Sequence, residues 1–544
     1  MWSQTYFLFG NNLAISALIA AVPIFTLLLL LGVLRKPAWI AGLAGLFVSL
    51  VLAVGGYHMP LPLALSSAAH GAAFGLFPIS WIVFWAIALF RLTVDTGKFE
   101  IIKESLGRLT SDRRMQALLI AFAFGAFIEG ASGFGTPVAV AAAMLTGLGF
   151  APLRAAAICL LANTAPVAFG SIGIPIVTLA GITGLPLDKL SAAAGRLCAP
   201  VSLFIPAYLV LAVGGIPALQ GAWLPAIVAG VSFASTQYLM SNFVGPQLTD
   251  ILAAIVTMVA LVAVSRVWKP KDGDLFLNEA TEAAVIEDEQ APVPVSAGQV
   301  LYAWLPYGLL VVCVLLWGFK PFQNQLNLFN INFQWPMLHD LVLRMPPITS
   351  APSPYHAIYS FNWLSASGTS CMVATLLSAL ALRVSISQFT SVILETCRQL
   401  FLPTVTVASV LAMAFLLNYS GATSTYGMAF ASTGAIFPFF SAILGWLGVF
   451  LTGSDTSANA LFGNLQVVTA TRLGLDPVLI AATNSVGGVM GKMISLQTIS
   501  VAAAATGMST QDQSQLFRFS LRHSILLVSV VGCLALFYAY VLHY

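Results

Sequence analysis

Apolar stretches recur along the whole sequence, with short polar or charged segments between them. Many of them reach about 20 residues, which is the length that an α-helix needs to cross the hydrocarbon core of a bilayer. The weaker alternating pattern of a membrane β-barrel is not found. The pattern therefore predicts an all-α polytopic membrane protein with about 12–14 transmembrane helices.

Basic residues indicate which connecting segments remain in the cytoplasm. Arg35 and Lys36 lie between the first two predicted helices, and residues 95–114 form a basic amphipathic segment. Both are expected inside the cell. Residues 320–362 are rich in Asn, Gln, Trp and Pro and contain few basic residues, so this segment is expected outside. The same reasoning predicts that both termini of the chain lie outside.

One apolar stretch, at residues 124–175, is broken by Pro137, Pro166 and Pro175 and by runs of small residues. Such breaks free backbone groups that lipid cannot hydrogen-bond, so they occur where the chain faces protein or a water-filled cavity. We therefore predict a re-entrant helical hairpin at about 115–149, followed by a broken helix at 152–176.

A second broken stretch predicts another hairpin at about 440–472 and a broken segment at 477–505. Residues 125–130 resemble 448–453, although the register drifts further along, and chance similarity between glycine-rich segments is the alternative. The first hairpin follows two arginines, whereas residues 418–440 contain no basic residue, so the two hairpins are expected to enter from opposite sides. Inverted repeats of this kind hold their binding site near the midplane.

The chain is predicted to have three parts. Residues 1–265 form an N-terminal membrane half, and residues 299–544 form a C-terminal membrane half. Between them, residues 266–298 are first basic, then acidic, and end in Ala, Pro and Val. That composition is typical of a flexible linker rather than a folded domain, and its basic residues indicate the cytoplasm.

Composition excludes several classes of protein. Only 8% of the 544 residues are charged, whereas about 25% is usual for a soluble domain. The six cysteines are scattered singly, so neither a metal site nor a disulfide framework is indicated. Neither a nucleotide-binding P-loop nor a hydrolase or zinc-protease motif is present, which argues against ATP-driven transport and hydrolysis. We predict no cofactor, no metal and no nucleic-acid partner.

Three charged residues, Glu129, Asp455 and Lys492, lie in apolar segments with helix-breaking sequences. A charge at mid-bilayer costs roughly 2.5–3.5 kcal/mol, so such residues are usually paired and functional. Glu129 and Asp455 are the candidate proton-binding carboxylates, and Lys492 is a candidate partner for an anion. The alternatives are a structural Asp455–Lys492 pair and a Glu129 carboxylate satisfied by its own loop. Arg154 is interpreted as an interfacial anchor, and His70 as a satisfied polar residue.

The predicted substrate site combines Lys492 with polar residues at the breaks. The helix starts after the two hairpin tips would offer free N–H groups and positive dipole ends to an anion. Each polar residue has the alternative role of satisfying broken backbone. The predicted substrate-binding residues are Lys492, Asn163, Thr164, Ser454, Thr456, Ser457, Asn459, Asn484, Gly133, Gly135 and Thr136.

Several long blocks resemble those of one known family. They are EGASGFGTPVA at 129–139, NTAPVAFGSIGIPI at 163–176, GWLGVFLTGSDTSANALF at 445–462 and GKMIS at 491–495. The chain is similar, over nearly its whole length, to the bacterial L-lactate permeases. This resemblance implies proton-coupled uptake of L-lactate, with D-lactate and glycolate as further substrates, across the inner membrane. It also implies kinship with the ion-transporter superfamily, whose folds pair inverted repeats with re-entrant hairpins.

Three other readings remain open from the sequence. A sodium-coupled carboxylate symporter would use carbonyl groups freed at Pro166 together with the polar turns. An integral-membrane enzyme would use Glu129 and Asp455 as an acid pair. A channel is disfavoured because two polar tips that meet at mid-membrane suit a closed site better than an open pore. A homodimer is left open.

Overall fold

The computed structural model describes residues 1–8, 10, 12–133, 135–268 and 296–542. Most of the predicted linker at 266–298 lies outside the described residues. The α-helices are Leu13–Ala20, Val22–Leu28, Ala38–Val51, Leu61–Phe74, Trp81–Asp95, Lys98–Gly107, Arg113–Gln116, Gly125–Ala131, Thr136–Gly147, Pro152–Ala162, Gly170–Thr183, Leu187–Gly221, Trp223–Phe243, Thr249–Val267, Ala297–Gly318, Lys320–Asn327, Ser367–Ala381, Ile386–Ser420, Ala422–Phe430, Phe437–Thr452, Asp455–Leu473, Pro477–Lys492, Leu496–Thr506 and Thr510–Tyr540.

Shorter elements complete the described chain. Four π-helical segments continue neighbouring α-helices, and two 3-10 segments lie at turns. The π-helical segments are Leu29–Val33, Leu52–Gly56, Gly75–Ser80 and Ala117–Phe124, and the 3-10 segments are Val167–Phe169 and Ala431–Ile436. The strands are Trp2–Ser3, Ile331–Gln334, Val342–Arg344, Ser353–Pro354 and Ile358–Phe361.

The prediction of an all-α polytopic membrane protein is confirmed. Within the described part of the chain, 10 helical stretches are long and apolar enough to cross a bilayer, or up to 12 if two bent pairs each count as one span. The upper count of 12 spans equals the lower end of the predicted range of 12–14 helices. One bent pair lies near the N-terminus, and the other joins Pro152–Ala162 to Val167–Thr183 with a bend of 66°.

Small sheets tie the N-terminus to the segment that the sequence places outside the cell. Trp2 and Ser3 pair in parallel with Val342 and Leu343. A separate antiparallel pair joins Ile331–Gln334 to Ile358–Phe361. The N-terminus and this segment therefore lie on one face of the protein, which we call the outer face, in keeping with their predicted side.

The first hairpin, residues 113–147, is a helix that reverses at a glycine-rich tip. Gly133 and Gly135 adopt φ values of +63° and +82° at this tip, a left-handed conformation that favours glycine over residues with a Cβ. The second helix of the hairpin, Thr136–Gly147, then has Pro137 near its start. A proline is tolerated there because the first N–H groups of a helix have no intrahelical partner.

The second hairpin, residues 437–473, reverses at one glycine. Gly453 ends Phe437–Thr452 with φ of +72°. The next helix, Asp455–Leu473, starts with Ser454 as its cap, whose side chain accepts a hydrogen bond from the Ser457 backbone N–H. The pattern of a glycine end followed by a serine cap explains why the chain turns within two residues.

Two broken helices complete the centre of the fold. The first broken helix runs from 152 to 183 and turns at residues 163–169. The second runs over Pro477–Thr506 and turns at residues 493–495. The outgoing arm of each hairpin packs against the broken helix of the other half: Asp455–Leu473 against Gly170–Thr183, and Thr136–Gly147 against Leu496–Thr506. Inverted repeats would produce this arrangement, and the repeat itself stays a prediction.

These central elements are buried, whereas peripheral helices face outward. Every residue from 114 to 131 is buried, and so is every residue from 479 to 495 in the second broken helix. Most residues of Ala38–Gly56 are partly or fully exposed. Irregular backbone is thus confined to the interior, where protein groups or a cavity satisfy it instead of lipid.

Candidate functional site

The tips of the two hairpins and the breaks of the two broken helices meet around one cavity of about 270 Å³. The cavity extends to Ala38 and Trp39, which follow the basic Arg35 and Lys36. It therefore faces the side predicted to be cytoplasmic. The predicted site residues that line it are Glu129, Gly135, Ser454, Asp455, Thr456, Ser457 and Lys492.

Glu129 and Lys492 form a buried ion pair across this cavity. The Lys492 Nζ donates to Glu129 Oε1 at 2.8 Å, and the two side chains are only 10% and 3% exposed. Glu129 Oε2 has no hydrogen-bond partner in the described structure. The ammonium group therefore contacts Glu129 rather than Asp455, and Glu129 is held by a residue of the other half rather than by its own loop.

Gly170 brings the first broken helix against this carboxylate. A Cβ at position 170 would lie 2.7 Å from Glu129 Oε1 and 3.2 Å from its Cγ. Both distances are shorter than ordinary van der Waals contacts, so a larger residue would displace the carboxylate. The glycine thus allows Glu129 to reach Lys492.

Asp455 lines the same cavity and is held by neutral donors. Its Oδ2 accepts a hydrogen bond from Ser485 Oγ at 2.6 Å and a longer one from Asn459 Nδ2 at 3.4 Å. Its Oδ1 has no partner in the described structure. Asp455 is also the first residue of its helix, where the positive end of the helix dipole stabilises a carboxylate.

Asn459 and Asn484 join a polar network that ties helices together. Asn459 Nδ2 donates to the Pro175 carbonyl at 3.1 Å and to Ser485 Oγ at 3.0 Å. Asn484 Nδ2 donates to Asn459 Oδ1 at 3.0 Å, and Asn484 Oδ1 accepts from Gln466 Nε2 at 2.9 Å. Neither asparagine lines the cavity, so their amides position the wall that carries Asp455.

Asn163 and Thr164 lie on the other side of Lys492. Both line a small gap that Lys492, Met493 and Thr498 also border. The Thr164 hydroxyl donates to the Leu161 carbonyl at 2.7 Å and is therefore used by the broken backbone. The Asn163 amide has neither its oxygen nor its nitrogen hydrogen-bonded in the described structure. Asn163 is thus an unbonded amide beside Lys492, but it lies outside the cavity, in a gap too narrow for a ligand.

The two hairpin tips differ in what they offer to an anion. At the first tip, the Thr136 N–H already donates to the Gly133 carbonyl at 3.1 Å. At the second tip, the Ser454 hydroxyl accepts a hydrogen bond from the Ser457 N–H. The N–H groups of Asp455 and Thr456 have no partner within their helix, as at any helix start. The second tip therefore presents the better N-terminal anion environment.

Sequence reasoning missed two polar residues around this site. Asp250 is 1% exposed, and neither of its carboxylate oxygens has a partner in the described structure. It lies against Gly130, where a Cβ would be 2.9 Å from the Asp250 Cβ. Ser171 lines the cavity and donates to the Ser132 carbonyl at 3.0 Å. Asp250 could have been recognised in the sequence, because it is a carboxylate at the start of an apolar span. Glu129 was identified by the same criterion, a charged residue in an apolar segment.

The interpretation of His70 as a satisfied polar residue is wrong in one respect. His70 is 6% exposed, yet its Nδ1 has no hydrogen-bond partner within the described residues. It packs among aromatic rings at a second cavity, away from Glu129. Arg154 is exposed in the first turn of Pro152–Ala162, a position suited to an interfacial anchor.

One group of side chains has the composition of a metal site. His339, Asp340 and His356 bring three ligand atoms within 4.8 Å of one another. These atoms already satisfy each other, because Asp340 Oδ1 contacts His356 Nδ1 at 2.6 Å and Asp340 Oδ2 lies 3.2 Å from His339 Nε2. The group lies on the outer segment, and we assign no metal to it.

Comparison with known proteins identifies a family of similar chains. The family model described as L-lactate permease matches residues 16–542. An L-lactate permease of Bacillus subtilis is 46% identical over 546 residues, covering 97% of each chain. A glycolate permease of Escherichia coli is 44% identical over 552 residues, covering 99% of this chain and 98% of its own. All of these relatives are named as permeases, which are transporters and not enzymes.

Among solved structures, the MtrF protein of Neisseria gonorrhoeae, described as an antimetabolite efflux pump, aligns with a TM-score of 0.47 and 14% identity. The alignment covers 90% of this chain and 86% of that one.

Proposed function

The chain belongs to the L-lactate permease family, and from this premise we propose that it is a symporter that takes up L-lactate together with protons across the bacterial inner membrane. D-lactate and glycolate are proposed as further substrates. The ion pair of Glu129 with Lys492 is the observation that carries this proposal. It supplies one group that binds a proton and one that binds a carboxylate.

The charge balance of this pair supports coupled binding. In the empty site, Glu129 and Lys492 neutralise each other. A proton alone on Glu129 would leave Lys492 unpaired, and a lactate anion alone would add an unbalanced negative charge. Unpaired charges in a membrane interior cost roughly 2.5–3.5 kcal/mol even on the lower of the available scales. Proton and anion together restore neutrality, so binding of one favours binding of the other.

The proposed sequence of binding follows from the geometry. Protonation of Glu129 breaks the charge-assisted hydrogen bond to Lys492 Nζ, whose present length is 2.8 Å. The freed ammonium then pairs with the substrate carboxylate, which gains a comparable charge-assisted bond. Release reverses both steps, because deprotonated Glu129 competes with the carboxylate for the same ammonium group.

The remaining polar groups suit a small 2-hydroxy acid. The helix start at Asp455 and Thr456 lines the cavity together with Lys492. A hydroxyl next to the carboxylate would contact this helix start while the carboxylate contacts Lys492. Asn163 borders a narrow gap beside Lys492 and would join the site only when this gap opens. The cavity of about 270 Å³ has room for an acid of two or three carbons. Asp455, with one oxygen unbonded, is the second proposed proton carrier.

A sodium-coupled version of this transporter is less well supported. Two carbonyls near the first break already accept a side-chain hydrogen bond, which leaves each with one lone pair for such an ion. The Ala165 carbonyl accepts from Gln237 Nε2 at 2.9 Å, and the Pro175 carbonyl accepts from Asn459 Nδ2 at 3.1 Å. Lactate uptake that is driven by a pH gradient in sodium-free proteoliposomes would exclude sodium as the coupling ion.

Uptake and counterflow of labelled lactate in proteoliposomes test the proposal directly. The informative variants are Glu129→Gln, Asp455→Asn and Lys492→Gln, with Glu100→Gln as a matched control on the exposed surface helix. We expect Lys492→Gln to lose both activities. The variant that loses proton-driven uptake but retains exchange identifies the proton carrier. Full proton-driven uptake by all three variants would refute this site.

A further inference from the structure

The second cavity lies on the outer face and is larger, at about 1000 Å³. We propose that it is a second binding site for the carboxylate anion, which loads substrate from the outer side and is distinct from the Glu129–Lys492 site. The choice of a small carboxylate as ligand rests on the proposed function. We call this cavity the outer vestibule and define it by Arg344, Arg472, His70, Tyr355 and Asn418.

The charges of the outer vestibule favour an anion. Arg344 and Arg472 both line it, and no aspartate or glutamate is among its lining residues in the described structure. Neither arginine forms a salt bridge with a described carboxylate. Only 8% of the residues of this chain are charged, so two arginines without acidic partners in one cavity are unusual. Such a cavity concentrates anions.

Arg344 is held in a fixed position with unused donors. Its guanidinium group stacks on the ring of Tyr355 at 5.0 Å from the ring centroid. Its backbone belongs to Val342–Arg344, which pairs with the strand Ser353–Pro354. The Nε of Arg344 is buried without a hydrogen-bond partner in the described structure. A positioned guanidinium with free donors is suited to binding a carboxylate through two parallel hydrogen bonds.

His70 supplies an independent indication of a ligand. Its side chain is buried against Trp335, with ring centroids 4.8 Å apart, and against Phe415 at 5.1 Å. The same residue lines the outer vestibule, and its Nδ1 has no partner. A buried polar atom without a hydrogen bond costs about 1–3 kcal/mol. A ligand carboxylate or hydroxyl would supply the missing bond once the imidazole ring turns its Nδ1 toward the vestibule, which the residue lines.

The outer vestibule and the Glu129–Lys492 site lie at opposite ends of one pair of helices. Arg472 is in the last turn of Asp455–Leu473, whose first residue lines the inner cavity. The separation along the helix is roughly 25 Å, from the rise of 1.5 Å per residue. Between the two cavities, the helices Asp455–Leu473 and Gly170–Thr183 are in close contact at Gly463. A Cβ at Gly463 would lie 2.7 Å from Leu179 Cδ1, so no space for an anion remains there. An anion bound at one end therefore cannot contact the other end.

Transport measured from each side distinguishes a binding role from a structural one. We expect Arg344→Gln and His70→Phe to raise the KM for external L-lactate several-fold in oriented vesicles, with kcat nearly unchanged. Transport started from the inner side should retain its KM. Arg344→Lys should recover part of the external affinity, and Arg383→Gln, an exposed arginine elsewhere, serves as the control. Equal losses from both sides would overturn the proposal.

Measuring L-lactate binding to the outer vestibule tests this second site independently of the proposed transport function. Trp335 stacks on His70, so L-lactate should change its fluorescence in the purified Lys492→Gln variant, with Trp335→Phe as the blank. The change should disappear when Arg344→Gln is added. A titration without any change, or an equal change with chloride, would overturn the vestibule site. Normal transport by Lys492→Gln would instead refute the proposed function while leaving this titration meaningful.

Discussion

The Lys492 ammonium group and the Glu129 carboxylate, 363 positions apart in the sequence, share a hydrogen bond of 2.8 Å between two halves of the fold. Glu129 comes from the first hairpin, and Lys492 ends the first part of the second broken helix. The pair therefore joins distant parts of the chain at the point where the substrate is proposed to bind. In the proposed function, this bond is exchanged for bonds to proton and substrate.

Replacing one residue of this ion pair should destabilise the protein more than replacing both residues. We expect Glu129→Gln or Lys492→Met alone to cost about 3–5 kcal/mol, because each leaves one buried charge unpaired. The double variant should recover much of that loss, because no unpaired charge remains. Thermal unfolding of the purified protein in detergent measures the series. Additive losses in the double variant would show that the two residues do not interact.

A methyl group at position 170 should act on Glu129 without touching any charge. Gly170→Ala places a Cβ 2.7 Å from Glu129 Oε1, so we expect the carboxylate to move away from Lys492. Lactate uptake should fall by at least about tenfold, which corresponds to 1.4 kcal/mol. Gly147→Ala is the matched control, because nothing lies within 4 Å of its added methyl group. Unchanged uptake by Gly170→Ala would contradict the role of this close contact.

Asp250 is expected to take part in proton movement beside Glu129. Its two oxygens are unbonded in the described structure, and it packs against Gly130. Asp250→Asn should fold normally, since an amide of the same shape replaces a carboxyl group that makes no hydrogen bond. We expect it to retain lactate exchange but lose part of proton-driven uptake. Wild-type uptake at every external pH would exclude this role.

Close packing behind the site depends on glycine in the second broken helix. A Cβ at Gly487 would lie 2.5 Å from the Cα of Ala442 and 2.7 Å from its carbonyl carbon. Backbone atoms cannot rotate away, so Gly487→Ala should force Phe437–Thr452 and Pro477–Lys492 apart. We expect a loss of about 1–3 kcal/mol in stability, measured by thermal unfolding. Gly308→Ala, in open space, is the control and should behave as wild type.

Much of the fold follows from local properties of the sequence. Apolar length and basic loops predict helical spans and their direction, since a bilayer imposes both on any chain. The breaks at Pro166 and Gly453 were also visible, because proline and glycine act on their own backbone. The charged residues Glu129, Asp455 and Lys492 were recognisable for a similar reason. A charge in an apolar membrane segment costs free energy, so it is usually retained for a function.

Only the tertiary structure decided which side chains pair with one another. From the sequence, Asp455 was the structural partner considered for Lys492, whereas the structure pairs Lys492 with Glu129. The three residues lie in separate elements, and only the packing of these elements fixes the distances. The same packing engages Asn459 and Asn484 in a network and leaves Asn163 unbonded. It also places His70 and Arg344 on the wall of the same outer vestibule. Side-chain type thus determined which residues could act, and long-range packing determined which of them meet.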